Sequence, residues 1–218
     1  MSAVGPTARQ LDVIGALAPA LEPGTYLAGG VAVSLRLHHR LSLDVDLFVP
    51  QDFDPSALFD RIREVAPDAR LTGEGRGTLH LEVQRLPVSI LAYRYKLLAN
   101  TITYDGLRVE VASDEDLVCM KLAAIGGRGA AKDFWDLHAL LDAGVAGGTL
   151  TTALELFRAK YPSHDPGYVI KALAYFGDAD AAPLPGGLTA EHWAALKVAA
   201  VARVRSLIEG VHPQGPCA

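Results

Sequence analysis

Apolar positions return at helical spacing from the start of the chain. Leu11, Ile14, Leu17 and Leu21 form one stripe, Thr7 stands at an N-cap position, and Pro23-Gly24 ends the run. The pattern predicts an amphipathic helix. Thr25 to Ala28 then reads as a short strand, Gly29-Gly30 interrupts it, and Val31 to Leu37 resumes as a helix. From Leu43 to Val49, Asp alternates with apolar residues until Pro50, the period of a strand buried on one face. Pro55 to Val65 predicts a helix through Leu58, Phe59 and Ile62. Ala69 to Thr72, a turn at Gly73 to Gly77, and the runs Thr78 to Gln84 and Val88 to Tyr93 predict a hairpin-rich sheet, to which Leu107 to Val111 adds a strand.

The texture changes at Ser113, which with Asp116 fits a capping box; Asp116 to Ile125 reads as a helix closed by Gly126-Gly127. Further helices are predicted over Ala131 to Leu141, Thr151 to Lys160, Pro166 to Phe176 and Thr189 to Glu209, with a loop from Asp178 to Gly187. The expected organisation is an α/β half, residues 1–112, and an all-helical half, 113–218.

Composition narrows the function classes. The 218 residues are 50% hydrophobic and 21% charged, enough apolar surface for a core, which excludes intrinsic disorder. The net charge of −5 excludes a generally basic nucleic-acid binder. Cys119 and Cys217 show neither CxxC nor Cys/His spacing, so no zinc module or disulfide framework is indicated. With no stretch of the roughly 18 to 20 apolar residues that a membrane span needs, and no export pattern in MSAVGPTARQLD, a cytoplasmic protein without membrane association is expected.

Chemistry concentrates at Gly29-Gly30 and at Ser42-Leu43-Asp44-Val45-Asp46-Leu47-Phe48. Glycines between a strand and a helix let backbone N–H groups approach a phosphate, and the helix dipole favours that anion. Asp44 and Asp46, two apart on a strand, would share a face about 6.6 Å apart, where an oxygen-liganded Mg²⁺ relieves their repulsion. Alone, a Gly-Gly pair is an ordinary turn and Asp-x-Asp a solvated strand edge; their combination points to nucleotide chemistry. Ser34, one turn into the helix, stands either as a phosphate contact or as an interior helix serine.

Gly29-Gly30 and Arg40-x-Ser42-x-Asp44-x-Asp46-Leu47-Phe48, followed later by Lys121-Leu122-x-Ala124-Ile125-x-x-Arg128-x-x-x-Lys132-Asp133-x-x-Asp136-Leu137-x-x-Leu140-Leu141, resemble the AbiEii/AbiGii-type nucleotidyltransferases, toxins of abortive-infection toxin–antitoxin systems. The resemblance spans roughly residues 25 to 142. It implies an α+β fold, a DNA polymerase beta-like mixed sheet with flanking helices followed by an all-helical region that completes the active site. It also implies Mg²⁺-dependent transfer of a nucleotide from an NTP to an acceptor such as RNA, tRNA or protein, and a cognate antitoxin. Asp44 and Asp46 would bind the metal; Gly29, Gly30, Ser34, Arg128 and Lys132 would hold the nucleotide; Lys121 would bind phosphate and Asp136 would help activate the acceptor. On the residues alone, Lys121 reads either as a flexible ammonium able to reach a triphosphate or as a surface lysine, Asp133 and Asp136 as a solvated ion-pair face with Lys132, and His138 as a helix-surface residue.

One position departs from the pattern. Relatives often carry an acid where this chain has Ser89, and serine is a poor Mg²⁺ ligand; Glu82 is the substitute if it faces the site, otherwise acid–base duty falls to Asp136. That departure keeps a non-catalytic nucleotide- or partner-binding protein open as an alternative. An aminoglycoside-type transferase is a further one, less well matched by the Lys121 to Leu141 motif. By segment, residues 85–132 alone carry an excess of bases, 7 against 5 acids, so one local patch remains suited to an RNA acceptor.

Overall fold

The computed structural model describes residues 5–211, and the chain divides into two compact units, Met1–Leu117 and Val118–Ala218. In the first, α1 (Ala8–Leu17) starts at a capping box in which Thr7 Oγ1 accepts from the Gln10 amide and the Gln10 side chain accepts from the Thr7 amide. It ends sooner than the apolar stripe suggests: Ala18–Ala20, around Pro19, tightens into a 3-10 turn. There follow β1 (Tyr26–Ala28), α2 (Gly29–Leu37), β2 (Val45–Val49), α3 (Pro55–Val65, capped by Asp54), β3 (Arg70–Gly75), β4 (Thr78–Val83), β5 (Leu86–Ala92) and β6 (Glu110–Val111).

The strands form one mixed sheet in the order β3-β4-β5-β2-β1-β6. β2 runs parallel to β5 and antiparallel to β1, and β3, β4 and β5 form an antiparallel meander. Val45, Leu47, Val49, Leu79, Leu81, Val83, Val88 and Ile90 are buried on one face, and α1 and α3 contribute Val13, Ile14, Leu17, Leu58 and Ile62 to the core. The alternate positions, Asp46, Ser89 and His80, lie on the more open face. Two sequence expectations are corrected here. Gly73 and Gly75 belong to β3, because its ladder to His80 and Thr78 holds them extended, and only Arg76-Gly77 turns. β2 starts at Val45, which leaves Asp44 just ahead of the strand.

α4 (Asp114–Gly127) contains the division between the units. Its Ser113 Oγ accepts from the Asp116 amide, while the Asp116 carboxylate accepts from the amides of Leu98 and Ala99. The second unit continues with α5 (Ala131–Asp142), a 3-10 segment Val145–Gly148, α6 (Leu150–Lys160), α7 (Pro166–Ala172), α8 (Gly177–Ala181) and α9 (Ala190–Val211). Asp178 to Ala181, expected as loop, is helical: Ala179 is buried, and Asp180 accepts from the Trp193 indole at 2.7 Å. Phe134, Phe176 and Trp193 pack edge-on or tilted with centroids 5.3 to 5.8 Å apart, and Trp135 is buried as well. Cys119 is buried, and Cys217 lies outside the described residues. No helix among the described residues is long and apolar enough to cross a membrane.

Candidate active site

The antiparallel register sets Ala28 of β1 opposite Asp46 of β2, and the next residue, Gly29, opens α2 with φ +68. A side chain at Gly29 would collide with the Asp46 carboxylate, whose Cβ and Cγ lie 2.9 Å from where a Cβ would stand. A Cβ at Gly30 would run into the hydroxyl of Ser42 and stand 2.7 Å from Arg40 Nη2. Both glycines are therefore required by close approach, and Gly29 also by its backbone angle. The N-cap, Ala28, supplies no side-chain hydrogen bond to the first turn of α2, the end of a helix at which anions bind.

The loop between α2 and β2 is held from three sides. Ser34 Oγ donates to the Arg40 carbonyl at 2.6 Å, Gln10 Nε2 donates to the Ser42 carbonyl at 2.8 Å, and Arg40 Nη1 donates to the Leu41 carbonyl at 3.0 Å. Ser34, Gln10, Arg40 and Ser42 are all buried. Of the two sequence alternatives for Ser34, the structure thus places its hydroxyl on the loop that delivers the aspartates. Asp44 and Asp46, both half-buried, carry oxygen donors of the kind Mg²⁺ takes together with phosphate oxygens and water. Among the described residues no group of three or more His, Cys, Asp or Glu side chains could enclose a metal ion, in keeping with a serine at position 89.

Ser89 of β5 stands in register with Asp46, and His80 of β4 in register with Ser89. His80 Nδ1 lies 3.1 Å from Ser89 Oγ. Glu82 pairs instead with Pro87, outside that row, and with Arg9, Asp68, Arg70, Gln84 and Arg85 it lines a cleft of about 660 Å³.

In the second unit the later motif forms a charged network. Lys121 Nζ lies 3.2 Å from Asp133 and 2.7 Å from Asp136, and Arg128 grips Asp133 with Nε at 2.7 Å and Nη2 at 2.9 Å. Asp133 and Asp136 are fully buried and Lys121 is 4% exposed. The solvated ion-pair face and the surface lysine are corrected accordingly: most of α5 is buried, Asp133 and Asp136 included. Burial works to raise the Asp133 carboxyl, but the Arg128 hydrogen bonds and the Lys121 charge hold it below the usual carboxylate range. Arg128 keeps its side chain 59% exposed and Lys132 is half-buried. His138, expected on the surface, is buried; desolvation first, and the Arg203 charge second, push its pKa down to about 4.

Sequence reasoning missed Gln10 and left Arg40 without a role. The signal for Arg40 was the alternation Arg40-x-Ser42-x-Asp44-x-Asp46, whose first two members turn inward against Gly30. Gln10 offered none beyond its capping position, because its second bond depends on a loop 32 residues away.

The chain matches the family model described as nucleotidyl transferase AbiEii toxin, Type IV TA system, over residues 14–109 and 73–207. The uncharacterized protein aq_aa25 of Aquifex aeolicus (strain VF5) is 35% identical over 156 residues, 71% of this chain and 74% of that protein. Two solved structures share the fold. MenT4, a nucleotidyltransferase toxin from Mycobacterium tuberculosis H37Rv, is 15% identical with a TM-score of 0.57 over 90% of this chain and 82% of that one. JHP933 from Helicobacter pylori is 17% identical with a TM-score of 0.54 over 95% and 97%.

Proposed function

The chain belongs to the AbiEii nucleotidyltransferase toxin family, and from that premise we propose that it transfers a nucleotide from an NTP to an RNA acceptor in a Mg²⁺-dependent reaction, as the toxin of a pair whose second member neutralises it. The observation that carries the reading is the close approach of Gly29, at the uncapped N-terminus of α2, to Asp46. In this reading the first amides of α2 are offered to phosphate beside the Asp46 carboxylate, within one unit.

Gly29 and Gly30 offer amides to the triphosphate, and Ser34, Gln10 and Arg40 hold the loop that positions Asp44 and Asp46. Asp44 and Asp46 would hold Mg²⁺, which when bound supplies charge neutralisation for the leaving pyrophosphate and eases ionisation of the acceptor hydroxyl. The acceptor oxygen attacks the α-phosphorus in line and the bond to pyrophosphate breaks; positioning and electrostatics supply most of the rate, as in phosphoryl transfer generally. In the second unit the exposed Arg128 and half-buried Lys132 are assigned to phosphate, and Lys121 with Asp133 and Asp136 to the buried network that supports Arg128.

Incubation with α-³²P-labelled NTPs, Mg²⁺ and total bacterial RNA tests the reading. Wild-type protein is expected to label an RNA species, and an Asp44→Ala, Asp46→Ala variant with an unchanged melting temperature is expected to label none. Equal labelling by both would overturn the assignment.

A further inference from the structure

Across the open face of the sheet runs a row of five residues in register: Ala28 on β1, Asp46 on β2, Ser89 on β5, His80 on β4 and Gly73 on β3. The row starts one residue before Gly29 and passes through the proposed metal ligand Asp46. With strands about 4.8 Å apart, Ser89 is the immediate neighbour of Asp46 and His80 lies roughly 10 Å from it. His80 is exposed and Ser89 half-buried, so solvent and a substrate reach both. Gly73 leaves the outer flank of the imidazole open: even a Cβ there would come no nearer than 3.6 Å to His80 Cδ2.

Ser89 occupies a position where a carboxylate beside Asp46 would take the acceptor's proton. A serine hydroxyl cannot keep that proton, because it already carries one. It can pass it on, since Ser89 Oγ and His80 Nδ1 stand at hydrogen-bonding distance, 3.1 Å. Asp136 is poorly placed to act as the base, being fully buried with its charge matched by Lys121 at 2.7 Å. Glu82 lies outside the row.

We propose that Ser89 and His80 together replace the missing carboxylate as the proton acceptor of nucleotide transfer. The acceptor O–H donates to Ser89 Oγ while Ser89 O–H donates to His80 Nδ1. As the acceptor oxygen bonds to the α-phosphorus and pyrophosphate departs with the electrons of the broken P–O bond, one proton moves onto Ser89 and one from Ser89 onto the imidazole. His80 ends as imidazolium and Ser89 is regenerated. The neutral imidazole must therefore carry its hydrogen on Nε2 and leave Nδ1 bare.

This inference rests on the transferase reading, and two measurements on the full chain separate their failures. The first needs no turnover: ¹⁵N NMR of histidine-labelled protein, with the His80 signal assigned by its loss in His80→Ala, is expected to show Nδ1 without hydrogen in the neutral form. A hydrogen on Nδ1 overturns the relay and leaves the transferase reading intact. The second is label transfer from α-³²P NTP to total RNA. His80→Ala and Ser89→Ala are expected to lower kcat roughly 100-fold, with KM for NTP and the melting temperature unchanged, and Ser89→Asp is expected to restore kcat in the His80→Ala background. Wild-type kcat in His80→Ala overturns the proposal, and so does a loss that Ser89→Asp cannot recover. Absence of label with wild-type protein overturns the transferase reading itself, and this inference with it.

Discussion

Gly29 shows how one atom can decide the site. Alanine there would hold a left-handed backbone, costing about 1 to 2 kcal/mol, and would displace the Asp46 carboxylate. Gly29→Ala is expected to melt several degrees lower and to lose label transfer. Gly15, inside α1 with nothing within 4 Å of a Cβ, is the control: Gly15→Ala is expected to stabilise by about 0.5 to 1 kcal/mol and to leave transfer unchanged. Lys121 is the second decisive residue. Lys121→Ala strips the buried Asp136 of a counter-charge at 2.7 Å, and denaturant unfolding is expected to show a loss of about 3 to 5 kcal/mol. Arg128→Ala is expected to cost less, because Asp133 keeps Lys121 and the guanidinium side chain is 59% exposed.

Among the elements, the β4–β5 hairpin carries visible strain. Two residues, Gln84 and Arg85, connect the strands with φ of +49 and +64, the sign that a type I′ connection requires at both positions and that Asn-Gly supplies most easily. Gln84→Asn with Arg85→Gly is expected to raise stability by about 1 kcal/mol, read as a higher melting temperature; an unchanged or lower value would show that the native pair is already relaxed. A two-residue turn of the same type keeps His80 in register with Ser89, so the rates of the relay variants should not respond to this change. Element types were legible along the chain because period and caps are local: Thr7 ahead of α1, Ser113 with Asp116 at the start of α4, and the alternation of β2 each declare themselves within a few residues. Ends were less legible. Gly73 and Gly75 read as turn residues, yet the ladder to β4 holds them in β3, and Ala179 of α8 becomes helical where it meets the core.

For the whole molecule, a buried neutral imidazole sets the response to acid. His138 is 3% exposed with a pKa lowered to about 4, so between its unfolded value near 6.5 and about 4 the unfolded chain binds the extra proton. Stability is present in full above pH 6.5 and is lost as pH falls towards 4, by on the order of 3 kcal/mol. Asp133, with its carboxyl held below the ordinary range, loses its contribution only at lower pH, so the window belongs to His138. Melting temperatures across pH 7 to 4 are expected to fall for the wild type and to fall less for His138→Leu. The sequence by itself determined the family, the α/β-then-helical order and the residues of both motifs, because glycines, paired acids and apolar periods are written locally. It left open which polar groups are wet. Asp133, Asp136, Lys121 and His138 read as surface residues on a helical wheel, and only packing of α5 against its neighbours buries them. The row from Asp46 through Ser89 to His80 likewise exists only once β2, β5 and β4 are in register, since strand pairing joins positions dozens of residues apart that no local pattern connects.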